Sequence, residues 1–384
     1  MGDATRFSAE RNRGGWLAWI RRHALRRALT VGVDLRLMRP GGANGGVKPL
    51  VFSFLGEIGR TKGRRLRLVF LAASELEPEL RPLLREGDGV WADEVQAPRF
   101  DVLYAPFGRS SAMRAGVPTV SLIVDLLHRD LPEALPIEEV NYRHEWFTQV
   151  AAEAAFFQCI SHYTAARLQA HYGVDPARCF VTHLPVQGRL QTVAAESGAP
   201  PVAGGFFLYP ANFWPHKNHE RLLAAYRNYC DSAGAAAWRL VLTGHPDARM
   251  ASLQARAEVL GLVDRVCFAG HLDEARFAAA WRAAGALVYP SLHEGFGIPL
   301  LEAMAFGRPI LAANTTSLPE VGGDACLYVD PRDEMALAAA LGRIAGEAEL
   351  RRALVTRGGR RLKTFSLARE AGRLAEYFAR AAKR

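Results

Sequence analysis

The chain has 384 residues, of which 49% are hydrophobic and 23% charged, and its formal net charge is +9. These proportions are typical of a globular protein and exclude a fibrous or wholly disordered chain, and the length predicts two domains. The five cysteines form no C-x-x-C pair, which argues against a disulfide framework or a thiolate zinc site and favours a reducing cytoplasm.

Residues 1–28 are predicted to form a basic N-terminal arm. The stretch Trp16–Leu29 interleaves apolar residues with arginines, a pattern that suits a peripheral contact with an acidic membrane surface. A solvated arm is the alternative. The apolar patch Gly15–Ile20 is too short for a secretory signal, and no apolar run reaches the ~18 residues of a membrane span. We therefore expect a cytoplasmic protein, with peripheral contact at the inner face of the cell membrane.

Residues 29–190 are predicted to alternate strands and helices. The strands are rich in Val, Ile, Leu and Phe with little polar alternation, which is typical of a parallel sheet buried on both faces. They are Leu29–Leu37, Leu66–Ala72, Asp101–Pro106, Pro118–Leu126, Phe156–Ile160 and Cys179–Leu184. Helices are predicted between some of them, including Glu145–Ala155 and Tyr163–His171.

Residues 191–204, with paired prolines, glycines and small residues, are predicted to be a linker. A second βα series follows over residues 205–365. Its predicted strands are Phe206–Tyr209, Arg239–Thr243, Val266–Ala269, Ala286–Tyr289, Pro309–Ala312 and Cys326–Val329. Two such series predict an α/β fold with two doubly wound, Rossmann-like domains facing across a cleft that binds the ligand. Residues 366–384 are predicted to form a helix that packs back on the N-terminal domain.

The segment Ser291–Val321 combines a strand end, a glycine-containing turn and a helix start. Pro299 suits the first helical position, so the amides before it would face an anion. Glu294 and Glu302 flank this turn, and carboxylates accept paired hydrogen bonds from vicinal hydroxyls. The segment therefore predicts a site for a phosphorylated sugar. The alternative is an ordinary strand–turn–helix in which Glu302 complements the helix dipole.

This segment resembles the donor signature of retaining glycosyltransferases of the GT-B fold, above all family 4 of the nucleotide-sugar-dependent enzymes. The matching pattern is H-E-G-F-G-I-P-L-L-E-A-M-A-x-G-x-P-I, followed by L-P-E-V-x-G-D-A and D-P. The resemblance implies that Glu294 contacts the sugar hydroxyls and that Glu302 holds the ribose diol. It also implies that the amides of four turn residues meet the sugar and phosphate: Gly295, Phe296, Gly297 and Ile298.

A lysine loop within Phe207–Tyr226 supports the resemblance. Lys217 lies at its tip, where a cation would offset the charge of a leaving diphosphate, and P-H-K-N is similar to the family's phosphate-binding loop. Many members carry a second cation a few residues earlier. Here Asn212 stands in that region and has no charge, so either Lys217 is the main cation or Arg221 compensates.

Four residues at neighbouring strand ends are implied by the resemblance to wall the nucleobase pocket: Thr243, Gly244, Gly270 and His271. Turning the chain is the alternative role for the glycines. In the first half, Gly41–Gly46 follows the first strand, and glycines there let a backbone approach a ligand closely. Three residues resemble the family's G-G-I/V element near donor phosphate and acceptor: Gly45, Gly46 and Val47.

The segment Val120–Pro132, at the end of the fourth predicted strand, carries Asp125 and His128. Many family members have a histidine directly before the aspartate, whereas this chain has Val124 there and resembles a sub-group with D-x-x-H. His128 would then contact the sugar or acceptor as a catalytic residue. The alternative is a loop histidine with no such role. Ser161 matches an S-x-x-S/T element that touches acceptor or caps a helix.

The resemblance implies a retaining hexosyltransferase that acts on a glycan or lipid-linked acceptor in surface polysaccharide or lipopolysaccharide synthesis. GDP-mannose is the favoured donor. No D-x-D triplet occurs, so we expect no metal and no other cofactor. The alternatives are a nucleotide-sugar epimerase of the GT-B fold, or a non-catalytic binder of nucleotide sugar or nucleic acid. Nucleic-acid binding would leave Glu294 and Glu302 without a purpose, so no nucleic-acid partner is expected.

Overall fold

The computed structural model describes residues 28–41, 46–62, 65–93, 95–114, 116–185, 189–193 and 198–384. The predicted basic arm up to residue 27 lies outside these ranges. Two all-parallel sheets are present, one in each half of the chain, which confirms the predicted pair of doubly wound domains. None of the described helices is both long and apolar enough to cross a bilayer.

The N-terminal domain has a seven-stranded sheet with the order β3-β2-β1-β4-β5-β6-β7. Its strands are β1 (Leu29–Asp34), β2 (Leu66–Leu71), β3 (Gly89–Trp91), β4 (Val102–Ala105), β5 (Thr119–Ile123), β6 (Phe156–Cys159) and β7 (Cys179–Val181). Its helices are α1 (Val47–Lys62), α2 (Glu77–Leu80), α3 (Leu127–Asp130), α4 (Ile137–Glu153) and α5 (His162–Tyr172). The short α6 (Arg189–Thr192) follows in the connection between the domains and packs against the C-terminal domain. The sequence reasoning missed β3, because this edge strand has three half-buried residues and no long apolar run.

The C-terminal domain has a six-stranded sheet with the order β10-β9-β8-β11-β12-β13. Its strands are β8 (Phe206–Pro210), β9 (Arg239–Thr243), β10 (Val266–Gly270), β11 (Ala286–Tyr289), β12 (Ile310–Ala313) and β13 (Cys326–Val329). Its helices are α7 (His219–Ala233), α8 (Ala248–Val259), α9 (Glu274–Ala283), α10 (Ile298–Ala305), α11 (Leu318–Gly322), α12 (Glu334–Gly346) and α13 (Ala348–Leu362).

The last helix, α14 (Leu367–Ala381), lies on the N-terminal domain. Its Phe378 is fully buried and meets Tyr104 of β4 edge to face, at 5.4 Å between ring centroids. The neighbouring Tyr377 stacks on Phe180 at 3.7 Å. Burying such aromatic side chains is worth about 1.5–3 kcal/mol each relative to exposure. The helix therefore completes the core of a domain that begins more than three hundred residues earlier in the chain.

The two domains meet where the carboxyl ends of β5 and β11 face each other. A Cβ atom on Gly295, which follows β11, would lie 1.8 Å from the carbonyl oxygen of Val124, which follows β5. A side chain at this position would therefore separate the two domains. Ligands of doubly wound folds bind at the carboxyl ends of the strands, so this junction is where a site is expected.

Candidate active site

A buried ion pair lies at the carboxyl ends of two adjacent central strands. Lys217 follows β8 and Glu294 follows β11, and Nζ of the lysine lies 2.6 Å from Oε1 of the glutamate. Both side chains are about nine-tenths buried. The structure thus brings together the two residues that the sequence places in the donor site, although they are separated by 77 positions.

The loop that carries Lys217 is held in place by hydrogen bonds. The hydroxyl of Tyr209 donates to the carbonyl of Lys217 at 2.6 Å. Asn218 has a positive φ of 63°, and its side-chain amide donates to the carbonyls of Pro290 and Pro331. These bonds tie the lysine loop to the loop of Glu294, so the distance between the two charges is fixed by the fold.

Glu294 remains ionised in spite of its burial. Desolvation raises its pKa, but the charge of Lys217 and hydrogen bonds from Lys217, Ser291 and Tyr289 outweigh this effect and hold the pKa below its ordinary value. A buried carboxylate paired with one cation is strongly coupled to that cation. A ligand anion that draws Lys217 away would therefore leave a negative charge ready to accept hydrogen bonds from hydroxyl groups.

The glycine turn after Glu294 leads directly into α10. Gly297, at the N-cap of this helix, has a φ of 100°, and a Cβ there would lie 2.5 Å from Leu318. The amides at the start of α10 point out of the helix and suit an anion. Glu302 lies about one turn into α10 and is half-buried. Phe296 differs from its neighbours, because its buried ring packs against Phe365.

The predicted nucleobase wall forms a connected set of strand ends. Asn212 accepts a hydrogen bond from the amide of His245, and the amide of Gly244 donates to the carbonyl of Gly270. A Cβ on Gly244 would lie 2.5 Å from the carbonyl oxygen of Ala211, so the backbone approaches more closely than other residues allow. Thr243 is buried, Gly270 has a φ of 64° and His271 is exposed.

The glycine loop after β1 lies beside the predicted donor turn, residues Gly295–Ile298. A Cβ on Gly46 would lie 3.3 Å from Cδ1 of Ile298 on the opposite domain. Val47 is half-buried and begins α1, whereas Gly45 lies outside the described residues. Asp125 also faces the donor turn, because its Cβ would lie 3.3 Å from a Cβ on Gly295. The structure thus brings Gly46 and Asp125 to the C-terminal domain, as a ligand-bridging role requires.

His128 has surroundings that a catalytic role does not suit. The residue is 1% exposed, stacks on Phe147 at 4.9 Å and pairs with the hydroxyl of Tyr172 at 2.7 Å. Burial lowers its pKa to about 4, with a smaller opposing effect of Asp125. The imidazole is therefore enclosed by side chains of the N-terminal domain. The predicted contact with sugar or acceptor gains no support from this geometry.

Ser161 is fully buried and caps α5, since its hydroxyl accepts from the amide of Thr164 at 3.0 Å. The hydroxyl of Thr164 in turn reaches the carbonyl of Gly295 at 3.3 Å. Of the two roles weighed for Ser161, the cap is the one that the structure contains. Ser161 therefore contacts the predicted donor turn only indirectly, because it positions Thr164, whose hydroxyl donates to the carbonyl of Gly295.

A buried aspartate that the sequence reasoning missed connects the two domains. Asp130, at the end of α3, accepts hydrogen bonds from four side chains. They are Tyr163 at 2.8 Å, Arg167 at 2.6 Å, His171 at 2.8 Å and His293 at 3.0 Å. Burial raises the pKa of Asp130, and these four partners lower it well below its usual range. His293 belongs to the other domain and directly precedes Glu294, so this network fixes the glutamate loop against the N-terminal domain.

A second carboxylate also connects the two domains, but it belongs to the C-terminal domain and binds groups of the N-terminal domain. Glu320 of the C-terminal domain accepts from the first two amides of α5, His162 at 2.8 Å and Tyr163 at 3.0 Å. It also pairs with His183 at 2.7 Å. A carboxylate at a helix N-terminus is stabilised by the helix dipole. The two domains are thus joined by an anion from each side.

His216 is a further residue that the sequence reasoning missed. It directly precedes Lys217, is 7% exposed, and its Nδ1 atom is buried without a hydrogen-bond partner. Burial, and then the charge of Lys217, lower its pKa to about 4, so the ring is neutral at pH 7. Its adjacency to Lys217 was the available sequence signal, but a histidine in a loop is more often solvated.

The C-terminal domain also matches a known family. Residues 205–347 match the family model described as glycosyl transferases group 1. This segment is similar in sequence to the group 1 glycosyltransferase domain. The match covers the lysine loop, the glycine turn and both glutamates, and it confirms the resemblance predicted from those motifs.

Two curated relatives carry related names. The chain is 34% identical to O-antigen chain mannosyltransferase B of Escherichia coli, over 42% of this chain and 42% of that protein. It is 36% identical to O-antigen chain mannosyltransferase RfbU of Salmonella typhimurium, over 34% of this chain and 35% of that protein. The chain thus spans less than half the length of these two relatives.

The fold has close neighbours among solved structures. The structure of Anabaena Alr3699/HepE in complex with UDP and glucose aligns with 91% of this chain and 99% of that chain. The TM-score is 0.65 and the sequence identity 15%. A likeness at this identity concerns the fold, and it confirms that the two Rossmann-like domains have the GT-B arrangement.

Proposed function

We propose that this protein is a retaining, metal-independent glycosyltransferase that moves a hexose from a nucleoside diphosphate sugar to a hydroxyl group. The observation that carries the proposal is the buried Lys217–Glu294 pair at the strand ends of the matched domain. Lys217 would bind the diphosphate and Glu294 the sugar hydroxyls. The helix start at Gly297 would supply further positive potential for the phosphate.

The proposed reaction begins when Lys217 exchanges its partner Glu294 for the diphosphate of the donor. The diphosphate attracts Lys217, and the released Glu294 carboxylate accepts hydrogen bonds from the sugar. The bond between the sugar C1 and the phosphate oxygen breaks while the acceptor oxygen adds on the same face. The leaving phosphate takes the acceptor proton, so no protein base is needed and the configuration at C1 is retained. Positive groups aimed at the developing phosphate charge account for the acceleration.

The names of the two mannosyltransferase relatives favour mannose as the sugar and a polysaccharide chain as the acceptor. We therefore expect GDP-mannose as donor and a glycan or lipid-linked oligosaccharide as acceptor, met at the cytoplasmic face of the membrane. Lys217 takes the part of a divalent ion in offsetting the diphosphate charge. Transfer should accordingly persist in the presence of a chelator.

Calorimetry with GDP, UDP, dTDP and ADP, without added metal, tests the donor site. We expect one nucleotide to bind, and Glu302→Ala to weaken that binding by about 1–3 kcal/mol because a hydrogen-bonded diol loses its partner. Glu349→Ala is the control, because Glu349 lies in an exposed ion pair with Arg352, and this variant should bind the nucleotide like the parent. Absence of binding to folded protein would overturn the proposal. Product analysis with the matching sugar nucleotide then separates transfer from epimerisation, and NMR of the product reports the anomeric configuration.

A further inference from the structure

The N-terminal domain contains a cavity of about 670 Å³ outside the Lys217–Glu294 site. It exists because the connection from β4 to β5, residues 106–118, has no helix among its described residues and leaves a gap beside α4. Its polar wall includes Asp34 and Ser110, and Trp146 of α4 forms an aromatic wall. A cavity of this size accommodates a ligand of several rings or a short oligosaccharide.

The polar wall of the cavity is held rigidly. Asp34 is buried and receives a two-pronged contact from Arg36, with N–O distances of 2.9 and 2.8 Å. The hydroxyl of Ser110 donates to the same carboxylate at 2.5 Å. Burial raises the pKa of Asp34, and these partners lower it below its ordinary value. The Asp34 carboxylate and the Arg36 guanidinium are held in place, so a ligand that forms hydrogen bonds with them loses little side-chain conformational entropy on binding.

The charges around the cavity are largely paired, which favours a neutral ligand. Arg36 neutralises Asp34, and Arg109 lies 3.4 Å from Glu153 across the rim. Arg114 stands over the ring of Phe100 at 4.7 Å. A polyanion would gain little from a wall in which two of the three cations, Arg36 and Arg109, already have anionic partners. A ligand rich in hydroxyl groups matches paired donors and acceptors better.

An aromatic surface continues from the cavity along α4. The ring of Tyr142 lies 6.0 Å from that of Trp146, and Tyr142 is 59% exposed. Tyrosine and tryptophan supply rigid, amphipathic contact area at low entropic cost. Apolar ring faces next to fixed polar groups are the combination that a sugar requires, because a pyranose has C–H faces and a hydroxyl rim.

The same helix connects this surface to the cleft. Arg143 of α4 lies 3.7 Å from Asp125, whose Cβ faces the donor turn at Gly295. Trp146 follows Arg143 by three positions, so the two side chains are neighbours on the helix surface. A ligand chain that leaves the cleft beside Asp125 would reach Trp146 within about one helical turn.

We propose that the cavity at Asp34, Ser110 and Trp146, extended by Tyr142, binds a neutral segment of the acceptor glycan several sugar units from the reacting hydroxyl. The inference rests on the proposed glycosyltransferase function and specifies how the acceptor is held. A distal site of this kind makes the enzyme prefer long acceptors over short ones.

Binding and transfer with mannose and α-linked mannose di-, tri- and tetrasaccharides test the distal site. We expect affinity to rise with length in the full chain. Tyr142→Ala and Trp146→Ala should each weaken tetrasaccharide binding about tenfold and raise its KM, while leaving the KM of the disaccharide and the affinity for GDP unchanged. Ile137→Ala is the matched control, because it is 64% exposed on the same helix and does not line the cavity.

The outcomes separate the two proposals. Equal tetrasaccharide binding by the parent and by Tyr142→Ala, or no saccharide binding by a parent protein that binds nucleotide, overturns the distal site alone. Failure of the parent to bind any nucleotide overturns the proposed function itself. Trp146 is partly packed into the domain, so thermal melting accompanies that variant, and the exposed Tyr142 decides the question if Trp146→Ala unfolds.

Discussion

The two sides of the cleft use their polar groups differently. On the C-terminal side, Lys217 and Glu294 pair with each other, and the loops that carry them are fixed within one domain. On the N-terminal side, Asp130 gathers partners that include His293 from the opposite domain. On the C-terminal side, a ligand anion could therefore replace Glu294 as the partner of Lys217. On the N-terminal side, Asp130 fixes the position of one domain relative to the other. Burial of a charged side chain is therefore not enough to identify it as a ligand-binding group.

The largest expected effect comes from the donor side. Glu294→Gln keeps the shape of the side chain but removes the charge that would face the sugar in the proposed mechanism, so transfer should fall by about 10²–10³-fold. GDP affinity should change much less, because the nucleotide alone has no sugar. Initial rates and calorimetry measure the two quantities. Glu220→Gln, an exposed carboxylate on α7, is the control. A fall of less than tenfold would remove Glu294 from the proposed mechanism.

The next effect concerns the network between the domains. Asp130→Asn leaves Arg167 without its buried anion and removes an acceptor shared by three other side chains, and we expect the free energy of unfolding to fall by about 3 kcal/mol. Asp231→Asn, which breaks an exposed i,i+4 pair with Arg227, should cost about 0.5 kcal/mol or less. Urea unfolding compares the two variants with the parent. Equal losses would show that the connection between the domains depends on other contacts.

The same variant changes the response to acid. The folded-state pKa of Asp130 is lowered, so its stabilisation is complete above the ordinary aspartate pKa of about 4 and is lost as the pH falls below it. The parent should therefore lose more stability than Asp130→Asn between about pH 5 and pH 2. Urea midpoints measured across this range give the comparison, and parallel curves would contradict the assignment.

A smaller effect is expected from contact between the domains at Gly295. In Gly295→Ala the new methyl group would meet the carbonyl oxygen of Val124, so either the loop or the domain junction must shift. Overpacking of this kind costs about 1–3 kcal/mol, and transfer should slow because Glu294 moves with the loop. Gly372→Ala, on α14 with open space around it, should instead gain up to about 1 kcal/mol. Unfolding curves and rates that are the same for both variants would contradict this reasoning.

The smallest effect on turnover is expected at His128. Because the ring is enclosed by Phe147 and Tyr172, His128→Phe should change kcat by less than about tenfold, well below the 10²–10⁴ of a general acid–base group. Its melting temperature should fall through loss of the bond to Tyr172. A larger loss of kcat in a folded variant would restore the catalytic role that the sequence pattern predicts.

The strand–turn–helix that carries Glu294 and Glu302 was largely predictable because its parts are contiguous. The turn from Glu294 to Glu302 occupies nine residues, and its glycines and proline specify a strand–turn–helix by local rules. The location of Lys217 and Glu294 at one edge of the sheet also followed, because both come after strands of one parallel sheet, whereas their direct ion pair was not predicted. Parallel strands place their carboxyl ends at one edge, whatever the distance along the chain.

The N-terminal side was less predictable because its contacts depend on packing between distant elements. Asp130 and His293 acquire their roles when the domains meet, and 163 positions separate them in sequence. His128 has the spacing of a family pattern, yet Phe147 of α4 and Tyr172 of α5 cover it. No periodicity in the sequence specifies how two helices cover the side chain of a third.

The position of α14 has a consequence for the order in which the protein can fold during synthesis. The helix is synthesised after every strand of both sheets, but Leu374 and Phe378 fill the interior of the N-terminal domain. Until α14 has been made, the nascent N-terminal domain exposes the aromatic surface around Tyr104 and Phe180. The N-terminal domain is therefore completed only after the C-terminal domain has been made, and a chain that stops after α13 would leave this aromatic surface exposed for chaperones to bind.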